Sequence, residues 1–149
     1  MKHREIFKSP QFLERPAVKA MQEEHKKGFG GSIHPNGYPD LGNGRYSAEL
    51  PYENWLVFNN AQRAHYNMIE VSGPALACVV TGGLYYPTLC GGLGIVFAIG
   101  RVLYSIGYNS KRGASGRLAG AVVGSISLYG LFGTNLFVGA KMIKELYGF

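Results

Sequence analysis

Cysteine is scarce in this sequence, with only Cys78 and Cys90 among 149 residues. Two cysteines do not make the disulfide framework of a small secreted scaffold, and no Cys and His spacing typical of a zinc site is present. We interpret both as free cysteines that pack in apolar surroundings. A disulfide-stabilised scaffold and a structural zinc domain are therefore excluded.

Charged side chains are also missing from two long windows of the chain. Residues 71–100 and 118–140 contain no Lys, Arg, Asp or Glu, which leaves 30 and 23 consecutive uncharged residues. About 20 apolar residues are enough to cross the roughly 30 Å hydrocarbon core of a bilayer as a helix. The sequence therefore predicts an integral membrane protein in contact with the lipid bilayer.

The charges are concentrated near the N-terminus, where 15 of the 24 charged residues lie within the first 53 positions. The formal net charge is +6, but the basic residues are not interleaved with aromatic residues on a soluble domain. Flanking of membrane helices explains them better, and we expect no nucleic-acid partner. No apolar segment follows Met1, so we expect no secretory signal peptide, and Glu5 is atypical of a transit peptide.

Residues 1–53 are predicted to form a polar, irregular N-terminal extension, and residues 54–149 a membrane domain. Five prolines and a turn-rich, glycine-containing stretch at 28–44 interrupt the extension. One short helix is predicted there, from about Pro16 to Lys27. Proline suits the first turn of a helix, and glycine follows its end.

Three membrane helices are predicted in an all-α bundle. The first runs from Glu53 to Tyr86, with a kink at Pro74 because proline removes a helical hydrogen bond. The second runs from Leu89 to Tyr108 and the third from about Arg117 to Lys144, and both contain small residues that permit close packing. Three crossings place the N-terminus and the 109–117 loop on the side with more Lys and Arg, which is predicted to face the cytosol or the mitochondrial matrix.

Two polar faces interrupt these helices. The first carries Arg63, Asn67 and Glu70 at spacing i, i+4 and i+7, and the second carries Arg101, Tyr104 and Tyr108 at i, i+3 and i+7. Charged residues in a membrane helix are costly, so they usually face a partner or a wet cavity. Because the two helices are antiparallel, the topology predicts that both faces meet at one membrane level.

Five of these six polar residues also have a structural interpretation. Arg63 and Glu70 could form an internal ion pair that holds the bundle together. Arg101 could serve packing by pairing with a neighbouring helix. Tyr104 and Tyr108 taken alone are typical of the aromatic belt at a membrane interface.

Two segments resemble the membrane-associated eicosanoid and glutathione metabolism (MAPEG) family. They are Q-R-A-H-Y-N-M-I-E at 62–70 and G-R-V-L-Y-S-I-G-Y at 100–108. The flanking G-G-L-Y-Y-P and L-G-I-V-F-A-I-G-R are similar to the branch of microsomal glutathione S-transferase type 3, and the resemblance covers about residues 54–140. It implies a trimer of four-helix bundles that binds glutathione as co-substrate between neighbouring subunits, near one membrane face.

The resemblance also implies roles for individual residues. By position, the residues that would hold glutathione are Arg63, Asn67, Glu70, Tyr104 and Tyr108, with His65 as a secondary contact. Arg117, in G-R-L-A-G, resembles the arginine that stabilises the glutathione thiolate. A guanidinium near sulfur favours the thiolate, which is the nucleophilic form.

The sequence departs from the family at its N-terminus. Residues 1–53 contain no apolar run approaching the length of a membrane helix, so the first membrane helix of the family is expected to be missing.

Two functions follow as alternatives. The chain is a glutathione transferase or peroxidase, as a homotrimer or with another subunit. Otherwise it is a non-catalytic subunit of a larger complex, for example a mitochondrial respiratory complex, docked through residues 1–53. Either would reside in the endoplasmic reticulum or a mitochondrial membrane.

Overall fold

The computed structural model describes residues 2–148, with only the backbone of Lys2. This part of the chain consists of helices and connecting turns and contains no β-strand, so the predicted all-α class is confirmed. The α-helices are α1 (Pro10–Leu13), α2 (Pro16–Phe29), α3 (Tyr52–Gly83), α4 (Pro87–Tyr108) and α5 (Leu118–Tyr147). Short 3-10 helices span Lys2–Lys8, Ser47–Glu49 and Gly113–Ser115.

The chain forms two compact units that divide within α3. The first extends to Arg63 and the second begins at Ala64. Helix α3 continues through Pro74, and the predicted kink at that proline stays a prediction.

The first unit has a hydrophobic core of its own, which was not predicted for the polar N-terminal extension. Its buried residues are Phe7, Phe12, Val18, Tyr46, Leu50 and Phe58. The Phe7 ring centroid lies 5.1 Å from that of Phe58 and 5.6 Å from that of Tyr46. Aromatic pairs at such distances contribute about 0.5–1.5 kcal/mol beyond the area they bury. Apolar side chains from distant parts of the sequence therefore fold this polar segment.

Helix α2 has the predicted start and a slightly later end. Pro16 occupies its first turn, where the missing backbone N–H costs nothing. The helix ends when Gly30 adopts a φ of 74° and donates its N–H to the Lys26 carbonyl. A glycine in the left-handed conformation is a common helix terminator. The sequence predicted that the glycine at position 28 would follow the helix end, so the helix extends slightly further than predicted.

In the second unit, α4 and α5 approach closely through glycines. A Cβ added to Gly100 would lie 2.6 Å from the backbone nitrogen of Gly124. A Cβ on Gly120 would collide with the backbone of Tyr104. The two helices therefore pack at a separation that only a residue without a side chain permits.

Polar contacts connect α5 to α3 in the same unit. The Asn135 side chain donates to the Cys78 carbonyl and to the Leu131 carbonyl, each at 2.9 Å. Thr81 donates its hydroxyl to the Asn135 amide oxygen. Cys78, Cys90 and Leu131 form a buried apolar cluster nearby, so the predicted packing role of the cysteines is confirmed.

Two described helices, α4 and α5, are long and apolar enough to cross a membrane. The prediction of three such helices was therefore wrong at α3, which forms but is too polar along its first half. Its uncharged part runs only from Val71 to the helix end at Gly83, which is shorter than the roughly 20 residues that a bilayer core requires.

Candidate functional site

A cavity of about 540 Å³ lies in the second unit, where α4 and α5 approach the connection between them. Its polar lining consists of Asn67, Arg101, Tyr104, Ser115, Arg117 and Ser125, and the remaining lining residues are aliphatic. Cavities that hold small molecules usually measure about 300–1,000 Å³. The volume and the few converging polar groups are those of a ligand site.

Helix geometry explains how α4 and the start of α5 contribute to the site. Arg101, Tyr104 and Tyr108 are all buried and follow one another along a single face of α4. The glycine contact between Gly120 and Tyr104 brings the start of α5 against that face. Arg117, the residue before the first turn of α5, is thereby held beside the α4 tyrosines.

Arg117 contacts both tyrosines of α4. Its Nη1 donates to the Tyr104 hydroxyl at 3.2 Å. Its guanidinium carbon lies 5.9 Å from the Tyr104 ring centroid and 5.4 Å from that of Tyr108. The hydrogen bond to the Tyr104 hydroxyl raises the pKa of Arg117 above its ordinary value, so this half-buried group stays a cation at every physiological pH.

Arg101 is more deeply buried, with 6% of its surface exposed. Its Nη2 donates to the Asn67 side-chain oxygen, and its guanidinium carbon lies 4.2 Å from the Tyr104 ring centroid. Its Nε is enclosed and has no hydrogen-bond partner in the described part of the chain. A buried guanidinium held by a neutral amide and an aromatic face lacks the counter-charge that such groups normally require.

The cavity is consequently electropositive. No Asp or Glu is among the residues that line it. The ion pairs among residues 2–148 are Lys8–Glu5, Arg45–Glu24 and Lys141–Glu145, and neither Arg101 nor Arg117 belongs to one. Two guanidiniums that share a cavity without a carboxylate favour an anionic ligand.

The structure brings together only part of the predicted site. Asn67, Tyr104 and Arg117 line the cavity. Tyr108 is not among the lining residues, and its ring centroid lies 5.6 Å from that of Tyr104. The hydrogen bond between Asn67 and Arg101 joins the two polar faces at that point.

The other predicted residues lie differently. Arg63, His65 and Glu70 are exposed, and within the described chain neither Arg63 nor Glu70 takes part in an ion pair. The suggested internal ion pair of Arg63 with Glu70 is therefore not formed. The ligand roles of these three residues stay predictions.

The structural interpretation of Arg101 is confirmed, because its Nη2 donates to Asn67 on the neighbouring helix α3. Sequence reasoning did not recognise that Arg101 also lines the cavity. The available signal was its position directly after the 30-residue charge-free window, where a charge is expensive. Ser115 and Ser125 were not recognised as lining residues. Isolated serines carry no such signal, and only the fold shows which of them face a cavity.

Comparison with known proteins identifies a family for this chain but no similar solved structure. No solved structure matches the chain. The model of the MAPEG family matches residues 18–137, which extends from α2 into α5 and includes the whole cavity. Since this match covers most of the sequence, the chain belongs to the MAPEG family.

Proposed function

We propose that this protein is a membrane glutathione transferase or peroxidase, which uses the glutathione thiolate against lipophilic electrophiles or lipid hydroperoxides. The observation that supports this most strongly is the cavity with two guanidiniums and no carboxylate. Membership of the MAPEG family is consistent with it.

Glutathione offers groups that suit the residues present. It carries two carboxylates, an ammonium group and a thiol. Arginine binds a carboxylate through paired N–H groups, and the Asn67 amide and the Tyr104 hydroxyl can add neutral hydrogen bonds. In this proposal the exposed Glu70 receives the ammonium group, and Arg63 and His65 complete the binding face.

Arg117 is the proposed stabiliser of the thiolate. Its guanidinium reaches the cavity and is oriented by the Tyr104 hydroxyl. Each unit by which the thiol pKa falls corresponds to about 1.4 kcal/mol of preferential interaction with the thiolate. No side chain of the cavity has to accept the proton, which can pass to water.

Two reactions are open to a thiolate held in this way. With an electrophile, sulfur forms a bond to the electrophilic carbon and the leaving group departs with the electron pair. With a hydroperoxide, sulfur attacks the terminal peroxide oxygen and the O–O bond breaks. The products are an alcohol, after protonation, and a glutathione sulfenic acid, which a second glutathione converts to the disulfide with release of water.

The first prediction concerns Arg117→Ala in the purified full-length chain. We expect this variant to bind glutathione more weakly and to raise the pKa of the bound thiol by about one unit or more, because a cation beside the sulfur is lost. The ultraviolet absorption of the thiolate, measured against pH, reports that pKa.

Arg112→Ala is the matched control, because it removes an arginine of the same connection that is exposed and lies outside the cavity lining. It should leave the thiolate titration unchanged. Absence of glutathione binding to the wild-type protein, in a correctly assembled sample, would overturn the proposed function.

A second candidate is a non-catalytic subunit of a larger membrane complex, for example a mitochondrial respiratory complex. The observation that favours it is the folded first unit, whose aromatic core supports a docking module where the family resemblance implies a membrane helix. This candidate requires the chain to co-purify stoichiometrically with foreign subunits. A self-contained homotrimer that turns over glutathione would reject it.

A further inference from the structure

Arg101 and Arg117 occupy different depths of the same cavity. Arg101 precedes Tyr108, near the end of α4, by seven residues, and a helix rises about 1.5 Å per residue, so it lies roughly 10 Å below the end of that helix. Ser125, which also lines the cavity, lies eight residues beyond Arg117 on the antiparallel α5. The Tyr104 ring centroid lies 4.2 Å from the guanidinium carbon of Arg101 and 5.9 Å from that of Arg117.

Among residues 2–148, no ion pair neutralises the deeper guanidinium. Its contacts are the Asn67 amide oxygen and the Tyr104 ring face, which are both uncharged. Its Nε is left without a partner. Keeping such a group inside an apolar bundle is costly, and an anion in the cavity would supply the missing counter-charge.

We propose that Arg101 forms a second anion subsite in the cavity, which holds a ligand carboxylate at a deeper level than Arg117. This inference rests on the proposed function, because it assigns a second charge-recognition step to the same cavity. Two sources could provide the carboxylate. One is glutathione itself, and the other is a fatty acid whose chain lies in the bilayer and whose head group enters the cavity.

The test compares each acid with its ester, since esterification removes the charge and preserves the shape. The ligands are glutathione with its glycyl ethyl ester, and a long-chain fatty acid with its methyl ester. Their affinities are measured on the full-length protein in nanodiscs of neutral phosphatidylcholine. The variants are Arg101→Gln and Arg101→Lys, and Arg112→Gln is the control in the exposed connection.

We expect one acid to bind the wild-type protein about tenfold more tightly than its ester or better, as a charged hydrogen bond implies. Arg101→Gln should abolish this preference by weakening the acid alone, and Arg101→Lys should retain part of it. Arg112→Gln should keep the full preference. If the variants bind the esters as tightly as the wild-type protein does, the cavity is intact. The acid that loses its advantage over its own ester in Arg101→Gln is the one whose carboxylate binds Arg101.

The inference is overturned if both acid-to-ester ratios are the same in Arg101→Gln as in the wild-type protein. It is also overturned if acid and ester weaken equally, because Arg101 would then act only through packing. A third outcome distinguishes the Arg101 subsite from the proposed glutathione function. If glutathione does not bind but the fatty acid preference depends on Arg101, the subsite stands and the glutathione function fails.

Discussion

Asp40 is the only aspartate of the chain, and at the scale of single residues it organises the loop that precedes α3. Its carboxylate accepts backbone N–H groups from Gly42 at 2.8 Å, Gly44 at 3.1 Å and Ser47 at 2.7 Å. Partial burial raises its pKa, but the hydrogen bonds, led by that from the Ser47 backbone, outweigh it and hold the pKa below 3.8. A single carboxylate thus satisfies three amides that the irregular backbone leaves free.

Asp40→Asn should destabilise the first unit by about 1 kcal/mol, as the loss of a capping carboxylate does, with allowance for the partial exposure of the group. Because the folded-state pKa is lowered, the stabilisation is fully present above the unfolded value of 3.8 and is lost as the pH falls through the folded pKa. The difference between wild type and variant should therefore disappear in strong acid.

Denaturation followed by the fluorescence of Trp55, the single tryptophan, would measure this effect, because Trp55 packs against the core of the first unit. Glu23→Gln removes an exposed carboxylate of the same unit and serves as the control. An equal loss in both variants would assign the effect to net charge and contradict the role given to Asp40.

At the scale of elements, the glycine contact of α4 with α5 determines the shape of the cavity. Gly120 lies against the backbone of Tyr104, the residue that contacts both guanidiniums. A side chain at this position would separate the helices and displace Tyr104. The same contact therefore supports both the packing of the bundle and the geometry of the site.

Gly120→Ala should lower the stability of the bundle by about 1–3 kcal/mol, the usual cost of overpacking a tight contact. Gly133→Ala is the matched change in the same helix, where an added Cβ meets nothing within 4 Å. It should be neutral or slightly stabilising, since alanine favours the helix. Thermal unfolding of the full-length protein in detergent would compare them, and equal melting temperatures would contradict the contact.

The sequence predicted those elements that have a local cause. Charge-free windows predicted α4 and α5, and Pro16 predicted the start of α2. The core of the first unit could not be predicted, because Phe7, Tyr46 and Phe58 are far apart in the sequence and follow no helical period. Their association depends on tertiary contacts alone.

The site was predictable to a similar extent. Helical spacing grouped Tyr104 with Tyr108, and antiparallel topology brought Asn67 to their level. Spacing also grouped Arg63 and Glu70 with Asn67, but both are exposed. A helical period shows which residues share a face, and it does not show how much of that face a neighbour covers.

At the scale of the whole molecule, MAPEG membership and the two apolar helices indicate an integral membrane protein. If α4 and α5 both cross the bilayer, the connection at 109–117 lies on one side of the membrane and the C-terminal end of α5 on the other. The connection carries Lys111, Arg112 and Arg117. Basic residues favour the cytosolic or matrix side, and we expect the connection to face it.

Single cysteines introduced by Lys111→Cys and Lys144→Cys would test this topology, because both lysines are exposed and each change removes one positive charge. An impermeant maleimide applied to sealed membranes should label them from opposite sides, with position 111 protected from outside. The native Cys78 and Cys90 are buried and provide a low background. Labelling of both sites from one side would show that α5 does not cross.

The hydrogen bond between Arg101 and Asn67 also bears on how the chain is inserted during translation. The ribosome delivers α3 before α4, so Asn67 has already left the exit tunnel when Arg101 arrives at the translocon. An unaccompanied arginine within an inserting helix is costly, up to about 2.5–3.5 kcal/mol when it lies at the helix centre. We expect α4 to be retained beside α3 until this bond forms, and only then to be released into lipid. The same arginine would thus act first as a checkpoint in biogenesis.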